Sequence, residues 1–286
     1  MIETVKGDEA AHIFLSHLKL GSALRGLPYL RGLARRFAEL PYENISKILK
    51  AAEAPTPEEA MRFPCEVVTD HIQRGFGGTC FSLTFLFERM LTALGFDCYK
   101  VMADMRSGEN VHCLVVVREG GAKHIVDPGY ALYEVAALPG SAPGAAGTSR
   151  ERVRCPHATV EIETREDGRY DLWTDDAAGR KWRYRFTDRP AADAEFERHW
   201  LESFGKPTLR NICLTRMTPR GHIYLRKDFF KFTSPEAVEK RRVKAGRERL
   251  VEEEFGIGAE WVEAAQRVLD LDAPRRGAQR RRGERG

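Results

Sequence analysis

Three side chains stand out for what they can do chemically: Cys80, His112 and Asp127. Cys80 follows Gly77-Gly78-Thr79 and opens an apolar run, so it reads as the first residue of a helix. A helix N-terminus carries unpaired N–H groups and partial positive charge, which favour a thiolate over a thiol. Thr79 is the expected N-cap, its hydroxyl accepting an early backbone N–H. The two glycines leave room for a substrate to approach the sulfur. His112 heads the strand-like run Val111-His112-Cys113-Leu114-Val115-Val116-Val117. Asp127 closes Lys123-His124-Ile125-Val126 and precedes Pro128-Gly129. Each has an ordinary structural reading taken singly: a buried core cysteine, a satisfied histidine, a turn aspartate. Together they have the order of a cysteine triad, in which histidine takes the thiol proton and the carboxylate orients the imidazole.

The elements needed to hold them follow from periodicity. Residues 8–50 carry apolar positions at helical spacing, broken at Leu40-Pro41. A helix is expected over 67–73, and an almost wholly apolar, hence buried, one over 81–94 with Gly95 after it. Strands are expected at 98–105, 111–118 and 123–126, the last two joined through Gly120-Gly121, and again at 159–164, 170–174 and 182–186. Further on, 191–205 reads as helix, 211–215 and 223–225 as strands, and 235–255 and 259–271 as helices. Helices first, then strands, then a mixed part give an α+β chain.

Composition limits the rest. The chain has 286 residues and a formal net charge of +4, but the excess sits in residues 275–286, which hold six arginines and one glutamate. The remainder is near neutral and has no basic face for nucleic acid. The segment 273–286 is expected to be disordered. There is no signal-peptide pattern and no apolar run long enough for a membrane span, so a cytoplasmic protein is expected. The six cysteines form no close pair and read as free thiols. His157, His199 and His222 lie at no metal-ligand spacing, so no metal is expected. His71 reads as a surface helix histidine.

The motifs resemble the arylamine N-acetyltransferase family. Gly77-Gly78-Thr79-Cys80-Phe81, Val111-His112-Cys113-Leu114 and Asp127-Pro128-Gly129-Tyr130 are similar to its three triad segments. So are Pro41-Tyr42-Glu43-Asn44-Ile45, Thr218-Pro219-Arg220-Gly221 with Leu225-Arg226, and Leu250 with Phe255-Gly256-Ile257. The resemblance runs in order from residue 8 to 258. It implies a helical part (1–95) carrying Cys80, a β-barrel-like part (96–190) carrying His112 and Asp127, and an α/β lid (191–272). It also implies acetyl-CoA as a donor that is not permanently bound and an arylamine or arylhydrazine acceptor. Gly129 and Tyr130 are placed on the donor side; Phe76 and Phe81 are placed on the substrate side, although plain core packing is the better reading of Phe81. The chain departs from the family at Phe76, where an arginine is usual, and at Thr79, Ser82 and Pro128. A cysteine enzyme with another acyl source, such as an amide synthase or a transglutaminase-like hydrolase, fits the same triad, as does a non-catalytic relative used as a binding module.

Overall fold

A computed structural model describes residues 2–19, 26–130, 132–142, 144 and 147–283. The helical N-terminal part comprises α1 (Ile2–Leu18), α2 (Gly26–Phe37), a two-residue strand β1 (Tyr42–Glu43), α3 (Ile45–Glu53), α4 (Pro64–Arg74) and α5 (Cys80–Ala93). The middle is built from β2 (Asp97–Met105), β3 (Gly108–Glu119), β4 (Ala122–Val126), β5 (Ala136–Ala137), β6 (Arg150–Cys155), β7 (Ala158–Thr164), β8 (Tyr170–Asp176) and β9 (Gly179–Phe186). The last part holds α6 (Asp193–Glu202), β10 (Cys213–Thr218), β11 (Gly221–Arg226), β12 (Phe229–Thr233), β13 (Val238–Arg242), α7 (Arg247–Phe255) and α8 (Ala259–Gly283). The chain is α+β.

The middle strands form one antiparallel sheet in the order β5-β4-β3-β2-β9-β8-β7-β6. Its end strands β5 and β6 come into contact, so the sheet nearly closes into a barrel. Strand alternation sorts β3 by face. Leu114 and Val116 point into the barrel with Val101, Ile125, Ile162, Leu172 and Tyr184. Val115 and Val117 point out against Leu83, Leu86, Phe87 and Met90 of the helical part. His112 shares the parity of Leu114, and Cys113 that of Val115. The ring of His112 is thus on the barrel side and the Cys113 thiol on the helix side.

The second sheet, β1-β10-β11-β12-β13, draws one strand from the helical part. Tyr42 pairs with Thr215 and Glu43 with Leu214, tying the segment before α3 to the end of the chain. One face of this sheet packs Leu214, Ile223, Leu225 and Phe230 against Val251, Phe255, Ile257 and Val262.

Three sequence expectations are corrected. Residues 238–242 are a strand, not part of a helix over 235–255: Val238 to Arg242 pair in register with Thr233 to Phe229, and α7 starts only after Gly246, which is left-handed at φ 71°. The Lys/Arg/Glu run that suits a helix equally suits an edge strand, where charge discourages further pairing. The disordered tail is also revised, since α8 continues through residues 273–283, a stretch that includes Pro274 and Gly277. Residues 284–286 lie outside the described residues. His71, read as a surface residue, is instead half-buried, edge-on to Phe14, with Nδ1 at 2.9 Å from the Phe76 carbonyl.

Candidate active site

Cys80 is the first residue of α5, behind a turn pinned from several sides. Gly78 N–H donates to the Pro41 carbonyl (3.4 Å) and the Gly78 carbonyl accepts from Glu43 N–H (3.0 Å). A Cβ on Gly77 would fall 1.8 Å from the Pro41 carbonyl oxygen, so only glycine fits there. A buried guanidinium lies behind this turn although position 76 is phenylalanine. Arg62 donates to the Gly77 carbonyl (2.9 Å), Ser46 Oγ (2.6 Å) and Asp70 (2.8 Å), with the buried Glu43 carboxylate at 3.7 Å. Burial pushes the Glu43 carboxyl up, and Arg62 opposes that shift. Thr79 does occupy the N-cap position, but its hydroxyl caps no N–H; instead its carbonyl accepts from Ser82 Oγ at 3.1 Å.

Cys80, His112 and Asp127 are all buried. Asp127 Oδ2 accepts from His112 Nε2 at 2.8 Å, and its Oδ1 accepts from Tyr130 N–H at 2.9 Å. With Nε2 committed, Nδ1 is the nitrogen left for the thiol, which hydrogen-bonds the ring. Cys80 Sγ also lies 3.8 Å from the Val111 carbonyl. A hydrogen bond from Cys113, then hydrogen bonding and charge from His112, and the charge of Lys47 bring the Cys80 thiol down to about 5, against burial. Burial opposes the cation on His112, yet Asp127 and Cys80 carry its pKa up to about 10. The Cys113 thiol is pushed up by burial and by Cys80, so it stays a donor. Both shifts favour a thiolate–imidazolium pair over a neutral thiol and imidazole, and a thiolate is the nucleophilic form of cysteine.

The sulfur opens on a cavity of about 750 Å³ between the two sheets and α6, lined among others by Phe81, Gly129 and Tyr130. Gly129 covers Cys80, and the Tyr130 ring stands 6.0 Å from the His112 ring. Phe81 borders the cavity while packing on Phe196 at 5.3 Å between ring centres. Phe76 does not reach the cavity. It is 2% exposed in the C-terminal core, with its ring 5.6 Å from Trp261, because α4 ends at left-handed Gly75 and turns the next side chain toward α8. The substrate-side expectation for Phe76 is therefore wrong.

The sequence reading missed Lys47, Tyr42 and Cys113, all near the sulfur. Lys47 is a buried lysine whose ammonium donates to Ser203 Oγ and lies 3.9 Å from the Phe204 ring centre. Burial lowers its pKa to about 8. Strand parity alone would have placed Cys113 toward α5. Nothing local in the sequence marks Lys47 as buried.

A family model described as N-acetyltransferase matches residues 26–263. The chain belongs to the arylamine N-acetyltransferase family. Solved structures of this family share its fold. The arylamine N-acetyltransferase of Mycobacterium abscessus superposes with a TM-score of 0.77 at 19% identity, over 92% of this chain and 96% of that one. That of Salmonella typhimurium gives 0.69 at 17% identity, over 92% and 98%. A Bacillus cereus member gives 0.66 at 16% identity, over 87% and 99%, and is described as having a Cys-His-Glu triad. No curated protein sequence matches the chain. Among the described residues no helix is long and apolar enough to cross a membrane, and no cluster could hold a metal ion. As an arylamine N-acetyltransferase family member, the chain is an acetyltransferase.

Proposed function

We propose that the protein moves an acetyl group from acetyl-CoA to an aromatic amine or hydrazine in two displacements on Cys80. The observation that carries this reading is the buried Cys80–His112–Asp127 constellation, with His112 hydrogen-bonded to Asp127 at 2.8 Å, at the wall of a cavity large enough for an aromatic ring. In the first step the Cys80 thiolate attacks the thioester carbonyl. The tetrahedral adduct collapses with loss of CoA thiolate, which takes the proton held on His112 Nδ1. In the second step the amine attacks the acetyl carbon on Cys80, His112 takes the amine proton, and Cys80 leaves as thiolate. Asp127 stabilises the imidazolium present at the start and end of the cycle. Gly129, covering the sulfur, and Tyr130, beside His112, border the path of the donor, and Phe81 borders the acceptor. A reducing, cytosol-like compartment suits this chemistry, since the six cysteines are free thiols.

The test is steady-state kinetics with acetyl-CoA against an arylhydrazine. Double displacement gives parallel double-reciprocal lines, and the Cys80→Ala protein gives no turnover. Intersecting lines, or turnover by the Cys80→Ala protein, count against the proposal.

A further inference from the structure

Acyl transfer needs one thiol, yet a second stands beside the nucleophile. The contacts between α5 and β3 fix where it points. Cys80 Sγ lies 3.8 Å from the Val111 carbonyl, two residues before Cys113. Thr84, one turn along α5 from Cys80, donates from its hydroxyl to the Cys113 carbonyl at 3.1 Å. Side chains four apart share a helix face, so the Cys80–Thr84 face of α5 lies on residues 111–113 of β3. Strand parity turns the Cys113 side chain toward that face. Both cysteines accordingly belong to one packed cluster with Met61, Phe81 and Met102, and sulfur stands within hydrogen-bonding reach of sulfur. The other four cysteines are placed differently. Cys65 and Cys98 pack on the helical core and Cys155 on the barrel core, while Cys213 borders the cavity on the second sheet.

This arrangement separates two roles. Cys80 borders the cavity, where small molecules reach it, and its thiol is held down. Cys113 is fully buried, and its thiol stays protonated. A thiolate is the form that a peroxide oxidises, and the sulfenic acid produced condenses with an adjacent thiol. An oxidant entering the cavity meets Cys80 first, and Cys113 has only Cys80 to act on.

We propose that Cys80 is a reversible oxidation site, with Cys113 as its resolving thiol, and that hydroperoxides join the two in a disulfide. The inference is independent of which acyl donor or acceptor the protein uses. In the first step the Cys80 thiolate attacks one oxygen of hydrogen peroxide. An S–O bond forms, the O–O bond breaks, and the hydroxide released takes the proton of His112 to become water. In the second step the Cys113 sulfur attacks the Cys80 sulfur. An S–S bond forms, the S–O bond breaks, and the departing hydroxide takes the Cys113 proton as a second water. Two electrons pass from the two sulfurs to one peroxide. Closing the sulfurs to the bond length of about 2.05 Å draws Cys80 into the seam between α5 and β3, so the oxidised protein is inactive. A second peroxide would otherwise carry the sulfenic acid to sulfinic acid, which thiol reductants do not restore. The disulfide forestalls that loss, and a dithiol returns both cysteines.

The experiment exposes the full-length protein to hydrogen peroxide without reductant, then reads intact mass and a non-reducing peptide map. The expected result is a fall of about 2 Da, the loss of two hydrogens, in a Cys80–Cys113 cross-linked peptide that dithiothreitol reverses. In Cys113→Ala and Cys113→Ser proteins the same dose is expected to add about 32 Da at Cys80, the mass of two oxygens. Dithiothreitol should then recover about five-fold less free Cys80 than in the unmodified protein. A Cys213→Ala protein should form the bridge unchanged. Oxygen added to Cys80 of the unmodified protein with no bridge overturns the proposal. So does a bridge from Cys80 to Cys213, recovery of Cys80 in both Cys113 variants equal to that of the unmodified protein, or a Cys80 that peroxide leaves as a free thiol.

Discussion

Gly129 lies directly on Cys80: a Cβ built on Gly129 would sit 2.5 Å from the Cys80 Cβ and 2.6 Å from its Cα. The loop after Asp127 and the first turn of α5 are thus in backbone-to-backbone contact, and His112 Cε1 stands only 3.4 Å from the same point. A methyl group here must move the sulfur, the ring, or both. Gly129→Ala is expected to lower kcat/KM about 10²-fold, the usual cost of displacing reacting groups by about 1 Å. Steady-state kinetics and a thermal melt check it; near-normal kcat/KM would mean the loop has slack the geometry does not allow.

The pKa of the nucleophile sets a pH profile. A thiol held down to about 5 beside an imidazolium held up to about 10 stays reactive across that interval. The rate of Cys80 alkylation is expected to rise with pH, reach half its plateau near pH 5, and change little until His112 loses its proton. Asp127→Asn removes the charge that supports the imidazolium, so the midpoint moves up toward the ordinary thiol value of about 8.5. Initial rates of iodoacetamide reaction between pH 4 and 10 provide the check.

Cys113 stabilises the thiolate as a donor from the helix side, since its own thiol is pushed up and stays protonated. Cys113→Ala is expected to raise the alkylation midpoint of Cys80 while leaving the His112–Asp127 hydrogen bond in place. The same pH series on the variant measures it, and an unshifted midpoint would show that Cys113 is packing alone.

Arg62 is 4% exposed and holds Glu43, Ser46, Asp70 and the Gly77 carbonyl together. Arg62→Met leaves the Glu43 carboxylate buried without its cation. Breaking a buried pair in this way costs about 3–5 kcal/mol. Denaturant titration should show that loss, with a matching fall in Tm. Phe76→Ala should cost a similar amount, about 3–5 kcal/mol, by leaving a cavity against Trp261. Its kcat/KM below the new Tm should stay within a few-fold of the original, because Phe76 borders no part of the cavity.

The barrel and the triad were legible because their signals are local. Val111 to Val117 alternates by face, Gly120-Gly121 supplies the positive φ angles of a hairpin turn (61° and 74°), and Cys80 follows a glycine turn into an apolar helix. What stayed hidden depends on distant partners. The strand at 238–242 exists because β12 offers an edge to pair with, which its charged sequence does not announce. Phe76 belongs to the core because α8 brings Trp261 to it. Arg62 and Lys47 are buried charges, and composition assigns such residues to the surface. The Thr79 hydroxyl fits the N-cap pattern, yet the helix starts without using it.

The central claim is that Cys80 carries the acyl group, and intact mass spectrometry after mixing the protein with acetyl-CoA, without acceptor, tests it most directly. The account predicts a single acetyl adduct, mapped to Cys80, absent from the Cys80→Ala and His112→Ala proteins, and discharged on adding an aromatic amine. An adduct that persists in the Cys80→Ala protein, or none on the unmodified protein while iodoacetamide still labels Cys80 rapidly at neutral pH, would contradict it.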